Sequence, residues 1–244
     1  MLGREEVTNQ PVSLKELLVK ATLSPSVAID QQYPQIDLGV FSKEAEGMLQ
    51  RSLMDPQKRE RGKMVLITQK GDVQIQQEDD VGEHTKKGNQ VGGSVVIKVA
   101  PNRENLPRAQ KQLQFLGMII HDHPEDQAVN AADIADLLRT ENSIRVAPAI
   151  LVISPTQKTL YTRCNETPQL SDTEVDKIIE AYEKEFFAPR KMLGSAIGQI
   201  ANINLQKARD QLDAFRLTSD LCRKYNIYRY SCPINRNTVT PYSA

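Results

Sequence analysis

Tryptophan is absent from this 244-residue chain, and phenylalanine and tyrosine together make up only 5% of it. That scarcity speaks against a stacking platform for single-stranded nucleic acid and against an aromatic cage for a cationic ligand. Net charge is lacking too. The 31 Lys and Arg balance 31 Asp and Glu, so no overall field draws the protein toward nucleic acid or anionic lipid. No window holds the roughly 18 consecutive apolar residues of a membrane span, and residues 1–10 lack the apolar stretch of a signal peptide. The expectation is a soluble, intracellular, cytoplasmic protein with no nucleic-acid and no membrane partner. Cysteine is sparse: Cys164, Cys222 and Cys232 form no C-x-x-C pair. An odd count without pairing opposes both a disulfide framework and a structural zinc knuckle.

What is present is an ordered succession of apolar periods. The length allows a real core and one domain with additions. Ser13 and Glu16 have the spacing of a capping box ahead of Leu17 and Leu18, predicting a short helix, with irregular chain after it through Pro25 and Pro34. Residues 1–40 read as an N-terminal extension. Ala45, Met48, Leu49 and Leu53 recur at helical spacing over 42–54, which Pro56 closes. Apolar runs at 64–67, 73–75, 94–99, 115–120, 146–153 and 159–163 predict strands, and helices are expected at 104–113 and 131–139. Between them, 76–93 carries Glu78, Asp79, Asp80, Lys86 and Lys87. It has too little apolar surface for a regular element and reads as a mobile loop.

From residue 171 the pattern becomes helical. Ser171 and Glu174 form a second capping box before an amphipathic run to Phe187. After Pro189 a second long helix is expected over about 193–225. Residues 226–230 should return as a strand and the tail to Ala244 should be loose. The fold class is α/β (α+β), a mixed β-sheet flanked by helices over residues 41–168. A C-terminal helical appendage over 169–244 offers a surface for a homo-oligomer.

Two of only three histidines form the triplet His121-Asp122-His123. Residues two apart on a strand point to the same face, so both imidazoles can reach one ion. Pro124 stops the strand directly afterwards. Asp133 stands ten residues past His123, in the first turn of an expected helix. Two imidazoles and one carboxylate leave a fourth tetrahedral position for water, the pattern of catalytic rather than structural zinc. Asp136 is the alternative carboxylate ligand. Proton transfer needs a further carboxylate. Glu60, which leads into the buried run at 64–67, is the first choice, with Glu44, Glu46 and Glu78 as rivals. The plainer alternatives are solvated strand-end histidines, a helix-terminal Asp133 facing the dipole, and a surface charge at Glu60.

The stretch Phe115-Leu-Gly-Met-Ile-Ile-His-Asp-His-Pro124, followed by Asn130-Ala-Ala-Asp133-Ile134, resembles the motif of the JAB/MPN (JAMM) zinc metalloproteases, in particular the prokaryotic-type JAB domain. The similarity runs over roughly residues 40–165. It implies an MPN/JAB-like, cytidine-deaminase-like layering and hydrolysis of an amide or isopeptide bond. It also implies one Zn2+ per chain on His121, His123 and Asp133, with Glu60 as general acid/base. The substrate would be a protein or peptide, such as a ubiquitin-like tail or another flexible peptide. In this chain Asn130 takes the place of the family serine that steadies the tetrahedral intermediate. The step from His123 to Asp133 is one residue shorter than in many members, and E-x-G stands at Glu60 for the usual E-x-x-G. An amide donates to an oxyanion as a hydroxyl does. The competing interpretations are a non-catalytic MPN-like scaffold binding a partner through its helices, and a metal-dependent hydrolase of something other than a peptide.

Overall fold

The strand that carries the two histidines has apolar side chains on both of its faces, and this dictates a sheet covered on both sides. In the computed structural model, which describes residues 10–87, 90–94, 114–125, 129, 133–134, 136–139, 147–196 and 203–242, that strand is β8 (Gln114–Asp122). It is preceded by β1 (Val12–Ser13), β2 (Ile36–Asp37), β3 (Arg61–Thr68), β4 (Val73–Ile75), β5 (Asp80–Val81), β6 (Glu83–Lys87) and β7 (Gln90–Ser94). It is followed by β9 (Ala149–Ile153), β10 (Gln157–Arg163), β11 (Ile227–Pro233) and β12 (Thr238–Pro241). Ten of these strands form one mixed sheet in the order β1-β2-β12-β11-β10-β9-β8-β3-β4, with β5 also paired to β3; β6 and β7 form a separate hairpin. β8 runs antiparallel to β3 and parallel to β9.

Helices α1 (Leu14–Thr22) and α2 (Val40–Met54) cover one face. Their Leu14, Leu18, Phe41 and Met48 join Val65, Met118, Ile120 and Leu151 in a single buried cluster. The opposite face is covered by Ile134, Leu137 and Leu138 and by helices α3 (Asp172–Ala196) and α4 (Ile203–Lys224). There Ile134, Leu137 and Leu138 meet Ile119, Val152, Tyr161, Val175 and Leu221. Ile119 and Ile120 therefore belong to different cores, as the two-residue period of a strand requires.

Several expectations are corrected. The 76–93 stretch contains β5 and β6 and reaches into β7, because a hairpin satisfies its backbone by pairing and needs no apolar face. The tail is not loose: β12 pairs with β11 and with β2, so segments near both ends of the chain enter the sheet that holds β8. α3 continues past Pro189, where an interruption was expected. Of the two capping boxes, only the second closes. Glu174 Oε2 accepts the Ser171 amide at 2.8 Å, while the Ser171 hydroxyl accepts the Glu174 amide at 3.4 Å. Ser13 is the N-cap of α1 by position but makes no side-chain cap hydrogen bond. The expected helix at 104–113 and most of the strand at 94–99 lie outside the described residues. Among the described residues no helix is long and apolar enough to cross a membrane.

Candidate metal centre

The parallel pair β8 and β9 ends in register, with Asp122 opposite Ile153. His123 extends the ladder one residue beyond the strand, its amide donating to the Ile153 carbonyl at 2.8 Å. The carboxyl end of a parallel pair is where α/β sheets open a site. Strand alternation turns His121 and His123 to one side, and both rings are buried. Their Nε2 atoms lie 2.9 Å apart, with the rings edge to face. Asp133, in the helical turn at 133–134, brings one carboxylate oxygen to 3.5 Å from His121 Nε2 and the other to 3.5 Å from His123 Nε2. Ligand atoms about 2.0–2.1 Å from a tetrahedral zinc stand about 3.3–3.4 Å from one another. The donor set is thus of the right type and nearly the right spacing for one ion.

Glu60 closes the cluster from the β3 side. Its Oε2 is 3.9 Å from His121 Nε2, and Glu60, His121 and His123 each bring a ligand atom within 4.8 Å of the others. The short connection from α2 to β3 is heavily braced. Asp55 accepts the Gln57 amide and the Arg59 guanidinium, and Lys58 takes a positive φ of 47° to turn the chain. The Arg61 guanidinium lies 3.8 Å from Asp55 and 3.4 Å from Asp79. Asp79 in turn receives two hydrogen bonds from Arg51. The basic residues flanking Glu60 are therefore engaged with Asp55 and Asp79, and the Glu60 carbonyl accepts the Gly82 amide at 2.8 Å.

Burial sets the protonation of the cluster. Desolvation pushes the Glu60 carboxyl up to about 7; the His123 charge opposes this, and the Asp133, Asp122 and Glu125 carboxylates add to it. The His121 ring is pushed down to about 4 by burial and by its neighbour His123, against the pull of Asp133. At neutral pH, then, His121 offers a lone pair and Glu60 is poised to take or give a proton, as a general acid/base must be.

The sequence-derived residues are thus brought together in four of five cases: His121, His123, Asp133 and Glu60. Asn130 and the side chain of Asp136 lie outside the described residues. The rival carboxylates are occupied or exposed. Glu44 pairs with Lys63 and Glu46 with Lys158, while Glu78 is exposed. One residue escaped sequence reasoning. Asp122, between the histidines, is fully buried on the other side of the strand, its carboxylate accepting hydrogen bonds from the Ser52 hydroxyl and the Arg61 amide, each at 2.6 Å. Strand alternation alone assigns it to that inner face.

No protein-family model, no curated protein and no solved structure matches the chain. The fold and the site by themselves define an α/β protein with two histidines and two carboxylates gathered at the carboxyl end of a parallel strand pair.

Proposed function

We propose that this protein is a zinc-dependent metallopeptidase of the JAMM type, hydrolysing an amide or isopeptide bond at a ubiquitin-like or other flexible peptide tail. The observation that carries this is the gathering of His121, His123 and Asp133, whose ring nitrogens and carboxylate oxygens lie 2.9–3.5 Å apart, with the raised carboxyl of Glu60 beside them. The helix-covered mixed sheet accommodates the MPN/JAB layering but would suit other α/β families equally well. His121, His123 and Asp133 would hold one Zn2+. When bound, zinc polarises a carbonyl and brings the pKa of water toward about 7. Glu60, with a proton affinity near neutrality, accepts the proton of the attacking water and returns it to the leaving amine. Asn130 serves as the oxyanion donor where the family has serine.

Elemental analysis of protein purified without added metal should find close to one zinc per chain, and a His121→Ala, His123→Ala variant should have none. Glu60→Gln should keep the metal yet lose about 10²–10⁴-fold in hydrolysis of a peptide fused to a ubiquitin-like C-terminus. Full zinc retention by the double histidine variant would end the proposal. Zinc bound at these residues with no turnover on any such substrate would favour the scaffold.

A further inference from the structure

We infer that Asp122 is a positioning residue which, braced by Ser52, holds the Arg61 peptide and through it sets Glu60 and His121 at the spacing the metal centre needs. Asp122 has this role only if the zinc site proposed above exists. The regular ladder between β3 and β8 ends at the pair Gly62 and His121. Beyond that point the Arg61 amide donates to Asp122 Oδ1 at 2.6 Å instead of to a β8 carbonyl. A side-chain carboxylate thus takes over where the backbone pairing stops, one residue from Glu60. The other carboxylate oxygen, Oδ2, accepts from Ser52 Oγ on α2, also at 2.6 Å. Ser52 and Asp122 are both fully buried, so three elements are pinned at one carboxylate: α2, the start of β3 and the end of β8.

Arg61 adjoins the site on its other side as well, because it stands between Glu60 and Gly62, the residue paired with His121 in the ladder. Groups that hold a metal ligand's backbone in place tune the affinity of the site. Both neighbours of Asp122 are donors, which explains a carboxylate here. It offers two acceptor oxygens, whereas an apolar side chain leaves the Arg61 amide and the Ser52 hydroxyl without this acceptor.

The test is zinc affinity, measured by competition with a chromophoric chelator, for wild type, Asp122→Ala, Asp122→Asn and Ser52→Ala, each first checked for a native circular dichroism spectrum. Asp122→Ala should bind zinc about 10–100-fold more weakly, the usual effect of losing an outer partner of a metal ligand. Asp122→Asn should recover most of that affinity, because the amide oxygen still accepts from Arg61 and the amide nitrogen can donate to Ser52. Ser52→Ala should fall near the lower end, roughly tenfold, and it carries the test if Asp122→Ala does not fold. Equal affinity in Asp122→Ala or Ser52→Ala and in wild type overturns the positioning role while leaving the zinc site standing. Asp122→Asn binding as weakly as Asp122→Ala also overturns it, in favour of charge alone. A wild-type protein that binds no zinc overturns both.

Discussion

Two buried groups of titratable side chains lie on opposite faces of this sheet, and they are built on opposite terms. On the α2 face the Lys158 ammonium, wholly buried, is met by Glu46 Oε1 at 2.5 Å, the Arg236 carbonyl at 2.8 Å and Asn237 Oδ1 at 3.4 Å. One cation and its three acceptors make a closed set, as burying a charge requires. Across the sheet, His121, His123, Asp133 and Glu60 bring lone pairs together, and the nearby basic side chains of Arg59 and Arg61 pair with Asp55 and Asp79. The first group supplies its own positive charge. The second is assembled from groups that could hold a metal ion.

The largest expected effect tests the closed set. Glu46→Ala leaves the Lys158 ammonium buried without its anion. It should cost about 3 kcal/mol in urea unfolding, the lower end for a broken buried pair, because the Arg236 carbonyl and Asn237 remain as acceptors. Lys158→Met should cost less, since the thioether replaces the stem and Glu46, with its side chain 43% exposed, turns to water. In chelator-treated protein Asp133→Ala should change stability by no more than about 1 kcal/mol while eliminating zinc uptake. If Asp133→Ala proved as damaging as Glu46→Ala in the metal-free protein, the histidine cluster would be a second closed structural network and the contrast would collapse.

A smaller effect separates the groups by pH. Glu60 in the folded protein titrates near 7, above the value near 4.3 expected in the unfolded chain. A raised carboxyl contributes stability that is fully present below the unfolded value and is lost as pH rises through the folded one. In metal-free protein the stability difference between wild type and Glu60→Gln should therefore move against wild type between about pH 4.3 and 7. Glu46 has the opposite sign. Burial pushes its pKa up, but hydrogen bonds from Lys158 and Ser42 and the charges of Lys158 and Lys43 outweigh that and hold it below its ordinary value. Its contribution is present above the unfolded pKa and is lost as pH falls through the lower folded one. Denaturation midpoints measured across this range would expose the error if both residues shifted stability in the same direction.

The difference between the faces also explains which parts of the molecule were legible in sequence. His121, His123 and Pro124 are local, and strand alternation with Asp133 ten residues on was enough to single out three side chains that the fold brings together. The apolar runs of β3, β8, β9 and β10 were legible because burial on both faces writes a continuous hydrophobic signature. The polar hairpin of β6 and β7 carries no such signature. β12 earns its place by pairing with β2, a partner from the far end of the chain that local periodicity cannot reveal. Asp122 was passed over for the same reason. Its partners Ser52 and Arg61 are 70 and 61 residues away. Lys158 and Glu46 are separated by 112 residues, so Glu46 looked like a rival catalytic carboxylate until the fold supplied its cation.

The smallest expected effect sharpens the contrast from inside the closed set. Ser42, fully buried on α2, places its hydroxyl 3.0 Å from Glu46 Oε1 and 2.7 Å from Asn237 Oδ1. With a single hydrogen it donates to one of them at a time. Ser42→Ala therefore removes one hydrogen bond and leaves Lys158 in contact with Glu46, Asn237 and the Arg236 carbonyl. The expected loss is about 0.5–1.5 kcal/mol in urea unfolding, well short of that for Glu46→Ala. Because the hydroxyl is one of the groups holding the Glu46 pKa down, the variant should also begin to lose stability at a slightly higher pH on acidification. Zinc uptake should not change, since the hydroxyl lies on the face away from the histidines. A loss as large as that of Glu46→Ala would mean that Ser42, and not the acceptors around Lys158, holds this group together. A change in zinc affinity would mean that the two faces of the sheet are coupled through α2, where Ser42 and Ser52 sit ten residues apart.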